Sequence, residues 1–188
     1  EDAPTPLITY ATAKLNSAYG LAFTASHNPP EWNGLKVFYG DGSLLLDDET
    51  RAIEAETNRM TAEDVVKLEL SLALEAGIVQ KRDMTNEYVD AVEKLVDLEA
   101  IRKANLRVIV DPMYGVGQLT MGIILTEARC RVTFIHERHN PLFGGRSPAP
   151  DLESLRQLIM SIHEGKYDLG LAIDGDADRI AIIDEKGN

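Results

Sequence analysis

Leu169-Gly170-Leu171-Ala172-Ile173-Asp174-Gly175-Asp176-Ala177-Asp178-Arg179-Ile180-Ala181-Ile182-Ile183 sets three carboxylates at alternate positions between two apolar runs. Each run reads as a buried strand, which puts the acidic turn at the carboxyl end of the first. Carboxylates this close repel one another unless a cation lies among them. The cluster contains no Cys or His, so zinc is disfavoured, and a hard ion with oxygen ligands is the natural resident. A merely solvated turn rarely stacks three acids directly after so apolar a strand. An EF-hand loop has the same acid spacing, but it needs Gly at its sixth position, where this chain has Arg179, and helices on its flanks.

The second half of the chain alternates strand and helix. Leu106 to Val110 reads as a strand, followed by a Gly115/Gly117 loop, a helix ending near Ala128, and a strand from Arg131 to His136. A loop rich in Pro and Gly covers residues 139–150. It precedes a helix with Leu152, Leu155, Leu158, Ile159 and Ile162 on its apolar side. Such alternation predicts a doubly wound α/β layer with ligand sites at the carboxyl ends of its strands. Upstream, helices are expected at about Asp47 to Met60, from Thr61 to a stop at Gly77, from Thr85, and from Asp97 to Lys103. The domain junction is placed before Thr85, giving units of residues 1–84 and 85–188.

The N-terminal unit opens with Thr5-Pro6, which can cap and start a helix carrying Leu7, Tyr10, Ala11, Leu15 and Ala18 to a stop at Gly20. Leu21 to Thr24 reads as a short strand running into a polar loop, Ser26-His27-Asn28-Pro29-Pro30. Gly34 to Tyr39 and Ser43 to Leu46 flank Asp41-Gly42, a hairpin signal. Within Thr24 to Lys36, a serine hydroxyl sits next to His27 and ten residues before Lys36. Serine is a weak nucleophile unless a base removes its proton or its reaction partner is polarised. A Ser-His pair alone is more often an ordinary turn. A metal that leaves positions open for phosphate oxygens, as Mg²⁺ does, would give the serine loop and the aspartate loop a common purpose.

The 188 residues are 44% hydrophobic and 27% charged, enough for one large or two small globular domains. A net charge of −12 opposes nucleic acid over most of the surface, so any anionic ligand needs a local basic pocket. No run approaches the roughly 18 to 20 apolar residues of a membrane helix. The lone Cys130 reads as a small buried hydrophobe and fits a reducing cytoplasm. The chain begins at Glu1 and stops after Asp184-Glu185-Lys186-Gly187, and both ends look cut.

Taken together, the motifs resemble the α-D-phosphohexomutase superfamily, which includes phosphoglucomutase and phosphomannomutase. The resemblance rests on Thr24-Ala25-Ser26-His27-Asn28-Pro29, Asn33-Gly34-Leu35-Lys36 and Asp174-Gly175-Asp176-Ala177-Asp178-Arg179 in that order. Thr5-Pro6 and Asp111-Pro112-Met113-Tyr114-Gly115-Val116-Gly117 extend it over nearly the whole chain. It implies two three-layer α/β/α domains with mixed sheets, the first incomplete at its N-terminus and the second cut at its C-terminus. It further implies that Ser26 is phosphorylated and that Asp174, Asp176 and Asp178 hold Mg²⁺ together with an oxygen on Ser26. His27 and Lys36 would be acid/base candidates, and Arg179 would lie near the transferring group. Hexose 1-phosphate and hexose 6-phosphate would interconvert through a hexose 1,6-bisphosphate.

Thr24 and Glu31-Trp32 look more like the glucose/mannose branches than the glucosamine branch. No counterpart of the family's sugar-recognition loop or phosphate-anchoring loop is present, so the remaining domains of the enzyme are expected partners and the short chain is expected to be inactive. Arg146, in Gly144-Gly145-Arg146, reads as a structural loop residue ahead of a ligand contact. A metal-dependent phosphatase, a phosphoglucosamine mutase and a non-catalytic phosphosugar-binding relative are the alternatives.

Overall fold

A computed structural model describes residues 2–188. The element order is α1 (Thr5–Lys14), β1 (Tyr19–Phe23), β2 (Leu35–Tyr39), α2 (Asp47–Thr57), α3 (Leu70–Glu75), α4 (Thr85–Glu93), α5 (Leu98–Ala104), β3 (Arg107–Asp111), α6 (Gln118–Glu127), β4 (Arg131–Phe134), α7 (Arg156–Gly165), β5 (Leu169–Ile173) and β6 (Ile180–Asp184).

The expected α/β layer is a four-stranded sheet in the order β4-β3-β5-β6. β3 pairs in parallel with β4 (Val108↔Val132) and with β5 (Val110↔Leu171). β6 runs antiparallel to β5 with Ile173↔Ile180 as its first pair, because the turn joining them is too short for a crossover. The sheet is covered on both faces, which is why β3 and β5 are continuously apolar where a half-exposed strand would alternate. Ile109, Ala172 and Ile183 pack on Leu158 and Ile162 of α7. Val108, Val110, Leu171 and Ile173 pack with Leu125 of α6 on the other side. All three parallel strands thus point their carboxyl ends the same way, and the aspartate turn leaves from β5, in the interior of the sheet.

The N-terminal part is a two-stranded antiparallel sheet, β1 with β2, from Tyr19↔Tyr39 to Phe23↔Leu35. The serine loop is the long connection across its open end. β1 alternates, with Gly20 and Ala22 facing α1. A Cβ on Gly20 would come within 2.2 Å of Thr12 Oγ1, so only glycine allows this approach. Tyr19, Leu21 and Phe23 point away from α1 and are 61%, 56% and 80% exposed. The N-terminal part meets the larger sheet through α1 and α4, where Tyr10 and Tyr88 stack edge to face at 5.8 Å.

Four expected elements differ. α1 stops at Lys14, because Asn16 takes a left-handed conformation (φ 51°) that ends the helix before Gly20. Ser43 to Leu46 adds only a Phe38↔Leu44 bridge and no full strand. The helix expected from Thr61 to Gly77 breaks into a 3-10 turn at Ala62–Asp64 and the short α3. Asp64 Oδ2 accepts the Thr61 N–H at 2.7 Å and the Thr61 hydroxyl at 2.9 Å, so a turn starts there, but the β-branched pair Val65-Val66 follows in non-helical conformation. α7 begins at Arg156, leaving Leu152 83% exposed in the preceding turn.

Candidate active site

Asp174 caps the end of β5 and is fully buried. Its Oδ1 accepts the backbone N–H groups of Asp178 and Arg179, each at 3.0 Å, so this carboxylate folds its own turn. The other oxygen, Oδ2, is turned toward the serine loop, 3.4 Å from Ser26 Oγ. Asp176, 6% exposed, accepts from Ser26 Oγ through Oδ1 at 3.1 Å, and through Oδ2 from Thr5 Oγ1 at 2.9 Å and Lys36 Nζ at 2.7 Å. Lys36 also donates to Asp178 Oδ2 at 2.6 Å. A serine hydroxyl has one proton, so Ser26 donates to Asp176 and leaves its lone pairs toward the cleft.

The serine loop is held in a demanding conformation. Ser26 has φ 54°, uncommon outside glycine, and its own N–H is fixed by Thr24 Oγ1 at 2.8 Å. Its carbonyl lies against Gly175, where an added Cβ would come within 2.8 Å. Gly115 in turn sits on Gly175 so closely that a Cβ would come within 2.5 Å of the Gly175 carbonyl oxygen. Three loops therefore stack backbone on backbone, and side chains at these glycines would pry them apart.

Burial, joined by the neighbouring charges of Asp176 and Asp178, pushes the Asp174 carboxyl up to about 6, with the two backbone donors offsetting part of the shift. Burial acts in the same direction on Asp176, but hydrogen bonds and charge from Lys36, with Thr5 and Ser26, bring it below the usual carboxylate range. Burial lowers Lys36, yet its two aspartate partners outweigh that and raise it above the ordinary lysine value. In this arrangement Lys36 is a proton donor, opposite in direction to what a lysine base requires.

The three aspartates offer carboxylate oxygens all within 4.8 Å of one another. The donor set is oxygen only, and the Lys36 ammonium already bridges two of the acids, so the cluster accepts positive charge. Both observations fit a hard divalent ion such as Mg²⁺, which the three aspartates could hold.

Ser26, Lys36 and the three aspartates, named from sequence, thus converge on one cleft. Arg179 stands half-exposed at its mouth, Nε 4.0 Å from Asp174 and 3.9 Å from Asp178. His27 makes no hydrogen bond to Ser26, and its Nδ1 has no partner among the described residues. Arg146 lies outside the cleft, against His136 and the Ser154 carbonyl. Sequence reasoning missed Thr5. Its hydroxyl does not cap α1 but binds Asp176, while its N–H donates to the Asp176 carbonyl at 2.8 Å.

The family profile for phosphoglucomutase/phosphomannomutase, alpha/beta/alpha domain I, matches residues 1–64, and that for domain II matches residues 86–187. A phosphoglucomutase/phosphomannomutase of Thermococcus kodakarensis is 38% identical over 98% of this chain and 39% of its own length. A phosphoglucosamine/phosphogalactosamine mutase of Sulfurisphaera tokodaii is 35% identical over 98% of the chain and 40% of its own. Among solved structures, that of a phosphomannomutase candidate from Thermus thermophilus superposes with a TM-score of 0.84 at 30% identity, over 98% of this chain and 40% of that one. The chain therefore spans about 40% of the length of the relatives it matches. Two α/β/α domains matched in series, with the serine loop from one laid against the aspartate turn of the other, place this chain in the phosphoglucomutase/phosphomannomutase family.

Proposed function

We propose that this chain supplies the phosphoserine and the metal-binding aspartates of a hexose-phosphate mutase, with residues 1–84 and 85–188 as its first two domains. The observation that carries the reading is the convergence of Ser26 with Asp174 and Asp176, 148 and 150 residues away in sequence. In the first half-reaction the bond between Ser26 Oγ and phosphorus breaks as a sugar hydroxyl of the hexose monophosphate bonds to that phosphorus. The sugar hydroxyl gives up its proton, and Ser26 Oγ regains one. The resulting hexose 1,6-bisphosphate then returns its other phosphoryl group to Ser26, so the isomer leaves and no phosphate is consumed.

Phosphoryl transfer depends mainly on positioning and on neutralising the phosphoryl oxygens. Bound Mg²⁺ supplies that neutralisation, and Arg179 adds a guanidinium from the mouth of the cleft. Lys36, protonated here, is suited to return the proton to the serine oxygen. His27, next to Ser26 in the loop, is the remaining candidate to take one from the sugar; its unpartnered Nδ1 is buried and is not the accepting atom. The relatives named above differ in sugar at nearly equal identity, so a panel of glucose, mannose and glucosamine phosphates decides the preferred hexose.

The test is phosphate mapping in a protein of the relatives' length carrying this sequence, after incubation with glucose 1,6-bisphosphate and Mg²⁺. A single phosphate on Ser26, absent in Ser26→Ala, is the expected result. Stable labelling elsewhere with Ser26 unmodified would sink the assignment, and free phosphate accumulating without an isomeric product would point to a phosphatase.

A further inference from the structure

Three carboxylates are buried among the described residues, and the site accounts for two of them, Asp174 and Asp176. The third, Asp111, is fully buried at the carboxyl end of β3, and its carboxylate meets His136. Burying a carboxylate is costly unless every lone pair is used, so its partners indicate what it holds in place. Asp111 Oδ1 accepts the Met113 N–H at 2.8 Å, and Oδ2 meets His136 Nδ1 at 2.9 Å. The same His136 nitrogen lies 3.0 Å from an Arg146 guanidinium nitrogen; having a single site, it either donates to Asp111 or accepts from Arg146, so the carboxylate and the guanidinium flank the ring, while Nε2 meets Gln157 Oε1 on α7 at 2.9 Å. The His136 carbonyl takes the Tyr114 N–H at 2.8 Å. Met113 and Tyr114 are consecutive left-handed residues, φ 51° and 59°, a conformation that neither side chain favours and that its surroundings must enforce.

Two loops are tied together in this way: residues 112–117 after β3, and residues 144–148 after β4. Both end on the metal turn. Val116 N–H donates to the Gly175 carbonyl at 3.1 Å, and the Gly175 N–H donates to the Pro148 carbonyl at 3.2 Å. Gly175 stands between Asp174 and Asp176, so its peptide groups fix the angle between the two carboxylates that face Ser26.

We propose that Asp111, His136 and Arg146 are positioning residues that set the geometry of the cation site by clamping Gly175 from both sides, without touching the cation, Ser26 or substrate. The inference rests on the metal-binding reading above. Outer groups that orient ligands typically contribute about 10–100-fold in metal affinity.

The test is Mn²⁺ binding to the purified chain, followed by electron paramagnetic resonance, for the wild type and for Asp174→Asn, Asp111→Ala, Asp111→Asn and His136→Leu. If the wild type shows no saturable site that Asp174→Asn removes, the metal reading itself fails, and the clamp with it. Given that site, Asp111→Ala should bind Mn²⁺ about 10–100-fold more weakly. Asp111→Asn keeps an acceptor for Met113 and a partner for His136, and should restore most of the loss. Unchanged affinity in Asp111→Ala overturns the proposal, as does an Asp111→Asn no better than Asp111→Ala, which would assign the effect to charge. If Asp111→Ala does not fold by circular dichroism, His136→Leu decides: it leaves Asp111 bonded to Met113 but cuts the tie to the second loop. Weakened binding supports the clamp, and wild-type binding overturns it.

Discussion

Lys36 is the residue on which the state of the cleft turns. Its ammonium neutralises Asp176 and Asp178, so a divalent ion entering among the three aspartates must displace it. Lys36→Met should therefore act in two directions. The metal-free chain loses about 1–3 kcal/mol, because the buried Asp176 carboxylate is left without its charged donor. Mg²⁺ binds more tightly, because nothing has to be moved. Thermal melts with and without Mg²⁺ test both effects: the variant should start lower and gain more, and an unchanged Mg²⁺ gain would remove Lys36 from the exchange.

Asp174 gives the pH signature. Its carboxyl titrates at about 6 when folded against an ordinary 3.8, so between those values the folded chain binds more protons than the unfolded one. Its contribution to metal-free stability is accordingly present at low pH and lost as pH rises through about 6. Mg²⁺ binding runs the other way, since it needs the carboxylate: below about pH 6, apparent affinity should fall by up to about tenfold per pH unit. Calorimetric titration between about pH 5 and 8 would show it, and a flat profile would contradict the raised value.

Among elements, the loops carry the function and the strands only aim them. Gly175 makes the point. A methyl group there meets Ser26 O at 2.8 Å and Pro148 Cγ at 2.9 Å, one of them backbone that cannot yield easily. Gly175→Ala should cost about 1–3 kcal/mol by overpacking and push the serine loop off the aspartates. Denaturant melts and Ser26 phosphorylation measured together check this, and a variant of full stability with full labelling would contradict it.

The acidic turn is legible in sequence because its strand-turn-strand frame and its charge density are both local. The α/β order from β3 to β6 is legible from periodicity. Thr5 is not, because a threonine before a proline reads as a helix cap, and only the tertiary fold shows its hydroxyl diverted to Asp176. The end of α1 is hidden for a related reason. Asn16 and Gly20 both punctuate helices, but Gly20 is small because Thr12 packs on it, which no local rule reveals. The split near Val65 is only partly legible: the β-branched pair Val65-Val66 is a weak stretch for a helix, and what decides against it is tertiary, since both valines are exposed and pack too little to hold a helix together.

For the whole molecule, the β1–β2 sheet is covered on one face only. Tyr19, Leu21 and Phe23 form an apolar row on the other, the kind of contiguous patch that drives association. Phe23→Lys should reduce concentration-dependent self-association of the purified chain in sedimentation runs. Equal association in variant and wild type would mean that this face stays solvated.

The contacts that build the cleft join residues 140 (Lys36 to Asp176) to 171 (Thr5 to Asp176) positions apart, nearly the full span of the chain. Helices and adjacent strands close small loops quickly, whereas contacts of this separation form only after a large loss of chain entropy. The cleft should therefore be among the last features to assemble during refolding. A cation captured there reports a finished chain, so the appearance of tight metal binding in a refolding experiment marks the end of folding and not its beginning.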